Sequence, residues 1–183
     1  MQKIVIIIGI LLCLFIGVAA QAGDIATQEG KFKPGSEPNG FRGIEWGTDI
    51  STLKGMKHLY TRRSPPIVVY ERSSDELKLG SAILGGISYG FWHNKFGRVH
   101  AFTRYKTNFI KLINVAVEKF GEGYQETDGV VYYLRWYGPK TRITLKYHNY
   151  TGDCQISLFS RKVDKEIENW EIQQAKEGAK TGF

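Results

Sequence analysis

The stretch RITLKYHNYTGDCQISLFS, residues 142–160, carries apolar side chains at every second position on either side of a polar, glycine-containing centre. Alternation of period two marks a strand with one buried face. If Asn149–Gly152 form the connecting loop, Tyr147 falls opposite Cys154, Leu145 opposite Ile156 and Ile143 opposite Leu158. One face of the hairpin is then wholly apolar, while Lys146–Gln155 and Thr144–Ser157 pair on the other. A one-residue slip would turn every apolar side chain outward, so the pairing is tightly specified.

The same reasoning extends upstream. Val130–Tyr137 reads as a third strand, and residues 107–121 form the clearest helix: Thr107 or Asn108 as cap, a stripe of Phe109, Leu112, Ile113, Ala116, Val117 and Phe120, and Gly121 as terminator. Before it, the segment SAILGGISYGFW at 81–92 puts Ile83, Ile87, Tyr89 and Phe91 on one face. His93–Asn94 suits a two-residue hairpin turn that sets Phe91 opposite Phe96. The parity of Val99, Ala101 and Tyr105 then requires a bulge, for which Gly97 is the natural place. Trp92, Arg98, His100, Phe102 and Arg104 are left sharing the opposite surface. Further upstream, HLYTRR and IVVYERS flank Ser64–Pro65–Pro66, whose prolines mark a turn or an edge.

At the start of the ordered region, FRGIEWGTDISTLKGM (41–56) reads as a short strand, a turn at Gly47, and a short helix capped by Thr48 or Asp49, with Ile50, Leu53 and Met56 along one side. Trp46 is then a core residue at a strand-to-helix joint. At the other end, Val163, Ile167 and Trp170 stand at helical spacing, so a C-terminal helix packs through them before a polar tail, over residues 163–183. The expected fold for 41–162 is α+β, a curved antiparallel sheet with helices laid on one face. Two successive helix-then-strands halves hint at an internal duplication, although the Trp-Gly-Thr joint occurs once.

Residues 1–22 have the composition of a secretory signal peptide. Lys3 precedes an apolar run from Ile4 to Val18, too short for a membrane-spanning helix, and Ala20-Gln21-Ala22 offers a cleavage site. Residues 23–40, rich in glycine and proline and without apolar periodicity, read as a flexible leader. Cleavage leaves about 160 residues, a size for one domain. The net charge of the 183-residue chain is +7, and the signal removes a single lysine, so the exported chain stays basic. A basic exported protein tends toward anionic envelope polymers or acidic partner proteins, and export directs it away from nucleic acid. Nothing after the signal is apolar enough to span a bilayer as a helix, and the sequence leaves the oligomeric state open. Cys13 leaves with the signal, so Cys154 has no partner for an intramolecular disulfide.

Phe41, Gly43, Ile44, Trp46, Gly47 and Thr48 spell Phe-x-Gly-Ile-x-Trp-Gly-Thr, followed by Leu53 and Met56. Tyr89-Gly90-Phe91, Phe96, Val99 and Phe120-Gly121 come later in the chain. In these residues, spread over most of 41–160, the chain resembles a group of small exported bacterial proteins of unknown function. The resemblance implies a periplasmic or secreted location and a compact α+β fold; it implies no catalytic residue.

No residue set points to catalysis. His148 lies near Cys154 in sequence, but parity sends the two to opposite faces. Gly86-Ile87-Ser88-Tyr89-Gly90 has the letters of a nucleophile elbow but sits inside a strand, whereas an elbow joins a strand to a helix. His58, His93, His100 and His148 have no metal-ligand spacing, and no cofactor motif is present. Asp75–Glu76 and the acidic residues of 164–168 read as solvated caps. The remaining candidate is the surface of Trp92, Arg98, His100, Phe102 and Arg104, where rings beside guanidinium groups can hold glycans or anionic polymers. Either this face is open and binds, or a helix or the leader covers it; large exposed aromatic patches are uncommon, which favours cover. The functional expectation is a non-enzymatic exported envelope protein that binds a partner protein or an anionic polymer; the alternative is a hydrolase or transferase acting on envelope material.

Overall fold

A computed structural model describes residues 30–181. The segment expected to be a signal peptide (1–22), the first part of the expected leader (23–29) and the last two residues lie outside the described residues. One eight-stranded antiparallel sheet dominates, built from β1 (Met56–Arg63), β2 (Pro66–Arg72), β3 (Gly86–Trp92), β4 (Lys95–Arg104), β5 (Tyr124–Thr127), β6 (Val131–Tyr137), β7 (Thr141–His148) and β8 (Asp153–Ser160). Its order is β1-β2-β3-β4-β8-β7-β6-β5. Helix α1 (Lys106–Phe120) follows the first four strands and α2 (Arg161–Thr181) the second four. Each half is thus four consecutive neighbours followed by a helix, and β4 and β8, the last strand of each, meet at the centre.

The register of β7 and β8 follows the parity argument: Tyr147 pairs with Cys154, Leu145 with Ile156 and Ile143 with Leu158. His93 and Asn94 both adopt positive φ (46° and 65°), as a two-residue hairpin turn demands. Phe91 pairs with Phe96 and Gly90 with Arg98, which leaves Gly97 as the unpaired bulge residue. β5, a short polar edge strand, carries no apolar alternation and has no signal in the sequence. Ile83 does not continue β3: it belongs to a separate two-stranded ladder of Lys78–Leu79 with Ala82–Ile83 and is exposed.

α1 packs on the inner face of the sheet. Phe109, Leu112, Ala116 and Phe120 join Tyr89, Phe96, Val99, Trp136, Leu145 and Leu158 in the main core. Each of the large apolar side chains among them contributes roughly 1.5–3 kcal/mol. Its start differs from expectation. Tyr105, at φ 73°, occupies the cap position without a side-chain hydrogen bond. Asn108 instead points back, its amide donating to Thr103 Oγ1 (3.1 Å) and the Arg104 carbonyl (3.2 Å).

Three expectations require correction. The helix expected at 50–56 is a single 3-10 turn, Ile50–Thr52, capped by the Asp49 side chain. Gly55 takes a positive φ and Met56 already pairs with Arg72 in the edge strand, so no second turn forms. The helices do not share one face. Val163 and Ile167 of α2 cluster with Ile67, Val69 and Trp92, whose parity places them on the outer face, away from α1. A Cβ on Gly97 would lie 2.4 Å from Val163, so the bulge glycine is where α2 touches the sheet. α2 leaves β8 without a loop, and its apolar stripe meets the patch of Ile67, Val69 and Trp92. The described part of the leader, expected to be flexible, is held in place. Residues 30–40 dock: Tyr137 N donates to the Gly30 carbonyl (2.7 Å), Phe32 meets Phe120 edge-on, and Glu37 accepts from the backbone of Lys140 and Thr141. Its anchors are single residues that bind remote turns, which leaves no periodic trace. Among the described residues, no helix is long and apolar enough to cross a membrane.

Candidate binding surface

Antiparallel register arranges the outer face in lateral rows, one side chain from each strand. The first row reads Gly86, Phe102, Gln155, Lys146, Tyr133 and Glu126 across β3, β4, β8, β7, β6 and β5. The second reads Ser88, His100, Ser157, Thr144, Arg135 and Tyr124. The third reads Gly90, Arg98, Phe159, Arg142 and Tyr137. Trp92 lies beyond the third row and Arg104 beyond the first. The five sequence candidates therefore share one face, but α2 divides it.

Trp92 is 4% exposed and sealed beneath α2, its ring 5.6 Å from that of Trp170. It is a core residue. Arg98 is engaged too. Asp164, in the first turn of α2, accepts from Arg98 (3.2 Å) and Arg142 (2.9 Å), and both guanidinium groups lie over the Phe159 ring. A carboxylate in a helix's first turn also meets the positive end of the dipole, so this triad fastens α2 to the sheet.

His100 stands on the boundary. Its Nδ1 accepts from the Gln155 amide (2.9 Å) and lies 2.9 Å from Ser157 Oγ, with Phe159 edge-on to its ring. Burial, reinforced by the nearby Arg98 charge and opposed by Asp164, lowers its pKa from 6.5 to about 4. The sign follows from linkage. Between those values the unfolded chain binds a proton that the fold refuses, so stability falls as pH drops through that window. The expected loss is on the order of 2 kcal/mol, and His100→Gln should flatten that segment of the curve. Urea midpoints at pH 7 and 4.5 measure it; equal slopes in both proteins would contradict the assignment.

The rest of the face is open. Phe102 is 50% exposed. Its ring lies over Gly85 and Gly86, where added Cβ atoms would come within 2.9 and 2.6 Å of it. Two glycines therefore form the bed on which an aromatic ring stands in solvent. Gln155 and the exposed Lys146 follow in the same row, and Tyr133 carries both the Lys146 ammonium (5.9 Å) and the Arg135 guanidinium (4.5 Å) over its ring. Arg104 pairs with Asp153 at 3.2 Å while remaining largely exposed. Beside this row a groove of about 740 Å³ opens at the end of the sheet, lined among others by Ile83, Phe102, Arg104, Tyr105, Lys146 and His148. Ile83 and Tyr105 are themselves exposed. No protein-family model matches this chain, and no curated protein and no solved structure matches it.

The other candidates resolve as structure. Cys154 is buried on the inner face, and desolvation pushes its thiol up to about 12. His148 Nδ1 accepts from the backbone N–H groups of Tyr150 and Thr151 on the other side of the strand. Trp46 donates to Thr141 Oγ1 (2.7 Å) and packs on Phe96, so the Trp-Gly-Thr segment is a joint. One cluster had no sequence signal. Asp75 accepts from Arg72 (2.7 Å) and Tyr89 (2.5 Å) and lies 3.3 Å from Arg42. Desolvation, with the Asp75 hydrogen bond and charge adding to it, raises the Tyr89 pKa well above the usual phenol value. Among the described residues no group of three or more His, Cys, Asp or Glu could hold a metal ion.

Proposed function

We propose that this is an exported, non-enzymatic envelope protein that binds an anionic glycan polymer across the open end of its outer sheet face. The observation that carries the reading is Phe102, half-exposed on a glycine bed in one row with Gln155, Lys146 and Tyr133. A flat ring stacks on a sugar, the Gln155 carbonyl accepts from its hydroxyl groups while the Gln155 N–H2 stays on His100 and Ser157, and Lys146 attracts its charge. Export rests on the apolar run after Lys3, and the likeness of residues 41–48 to small exported bacterial proteins supports it. The matching strand order of the two four-strand-plus-helix halves supports an internal duplication, with α2 redirected to the other face. The alternative, a hydrolase or transferase working through paired carboxylates, would place two of them facing a substrate. The groove's Asp153 is bound by Arg104, and Asp75 is committed to its buried cluster.

The test is retention on immobilised heparin under a salt gradient. The wild type should be retained and eluted by salt, because exposed charges are screened within about 8 Å at physiological ionic strength. Phe102→Ala with Lys146→Glu should elute at markedly lower salt. Elution unchanged in that variant overturns the reading. Arg98 is unsuited to this test because its loss would release α2.

A further inference from the structure

A second cavity, of about 330 Å³, lies on the inner side of the sheet between α1 and the segment Gly40–Arg42. It descends to Ile156 and Leu158, buried residues of the central strand β8, and is walled by Phe41, Leu79, Leu112 and Ala116. Protein interiors are otherwise close-packed, so an apolar recess reaching the centre of the core is a feature to be explained. Its volume falls in the range of small-ligand pockets, which are apolar with a few placed polar groups.

The charged side chains that line it are both cations, Arg42 and Lys119. Arg42 is held in place: it donates to the Lys78 carbonyl (2.7 Å) and lies 3.3 Å from Asp75. That carboxylate is shared with Arg72, so two guanidinium groups face one carboxylate and the cluster keeps a net positive charge. Lys119 is exposed, its ammonium 5.6 Å from the Phe120 ring centroid, with no carboxylate partner among the described residues. An apolar shaft with an uncompensated positive charge on its lining fits an apolar chain that ends in an anion.

We propose that the recess under α1 binds a single-chain amphiphile with an anionic head group, of the fatty-acid carboxylate class. The chain lies against Leu112, Ile156 and Leu158, and the head group sits between Arg42 and Lys119. The site is separate from the Phe102 groove and independent of what that groove binds.

Titration of the purified protein with decanoate, followed by calorimetry and by side-chain methyl NMR, tests this. Saturable one-to-one binding is expected, with shifts at Leu112, Ala116, Ile156 and Leu158. Decanol, which lacks the charge, should bind about tenfold more weakly. Lys119→Glu, at an exposed position, should weaken decanoate about fivefold and leave decanol unchanged. Ala116→Leu, which fills the recess, should abolish binding of both while the circular dichroism stays that of the wild type. Absence of saturable decanoate binding to the wild type overturns the proposal. So do equal affinities for decanoate and decanol, or shifts confined to the Phe102 groove. Should Ala116→Leu misfold, the wild-type affinity ratio and Lys119→Glu still decide.

Discussion

Asp75→Ala is expected to destabilise the protein by about 3 kcal/mol, because it strands two guanidinium groups that were paired in a largely buried setting. The carboxylate is 4% exposed and the two arginine side chains 20% each, so water reaches the cations only in part after the change. Tyr89, fully buried, loses its hydrogen-bond acceptor as well. Lys57–Glu71 offers the contrast, a cross-strand pair between the edge strand β1 and β2 with side chains 71% and 42% exposed. Its removal should cost under about 1 kcal/mol. Urea unfolding of both variants measures the difference; similar midpoints would show that the Asp75 cluster is not a structural lock. The cluster fastens Arg42, in the Phe-x-Gly-Ile-x-Trp-Gly-Thr segment, to the turn after β2, which gives that segment a physical role apart from any ligand.

Trp92→Ala should destabilise by about 3–5 kcal/mol, the range for deleting a buried large aromatic side chain. Trp92 meets Trp170, and both belong to the small cluster of Val163, Ile167, Ile67 and Val69 that holds α2. Its loss should loosen α2, visible as faster amide exchange over residues 163–170. Phe102→Ala should lower the stability by less than about 1 kcal/mol, since half of that ring already faces water. A Trp92→Ala variant as stable as the wild type would mean that α2 does not seal this half of the face.

Much of the architecture was legible because it rests on period-two alternation. The register of Ile143, Leu145 and Tyr147 against Leu158, Ile156 and Cys154, the turn at His93–Asn94 and the bulge at Gly97 are all local consequences of which side chains must avoid water. Parity also placed Trp92, Arg98, His100, Phe102 and Arg104 on a single face. What it could not supply was the docking of α2. That depends on where the chain leaves β8 and on a bare glycine at position 97, both tertiary facts. Asp75 looked like a solvated acid because its partners, Arg42, Arg72 and Tyr89, come from three separate segments. The docked part of the leader escaped for a related reason: Phe32 and Glu37 act singly, and their contacts lie some ninety to one hundred residues away.

α2 divides the outer sheet face into a sealed half around Trp92 and an open half around Phe102, the half proposed to receive the ligand. Mapping NMR shifts of the protein on addition of a heparin oligosaccharide tests it most directly. Shifts are expected at Phe102, Arg104, Lys146 and Gln155, with Trp92 and the α2 residues Val163 and Ile167 unmoved. Shifts centred on the basic edge strand at Arg62 and Arg63, or on α2 itself, would contradict it.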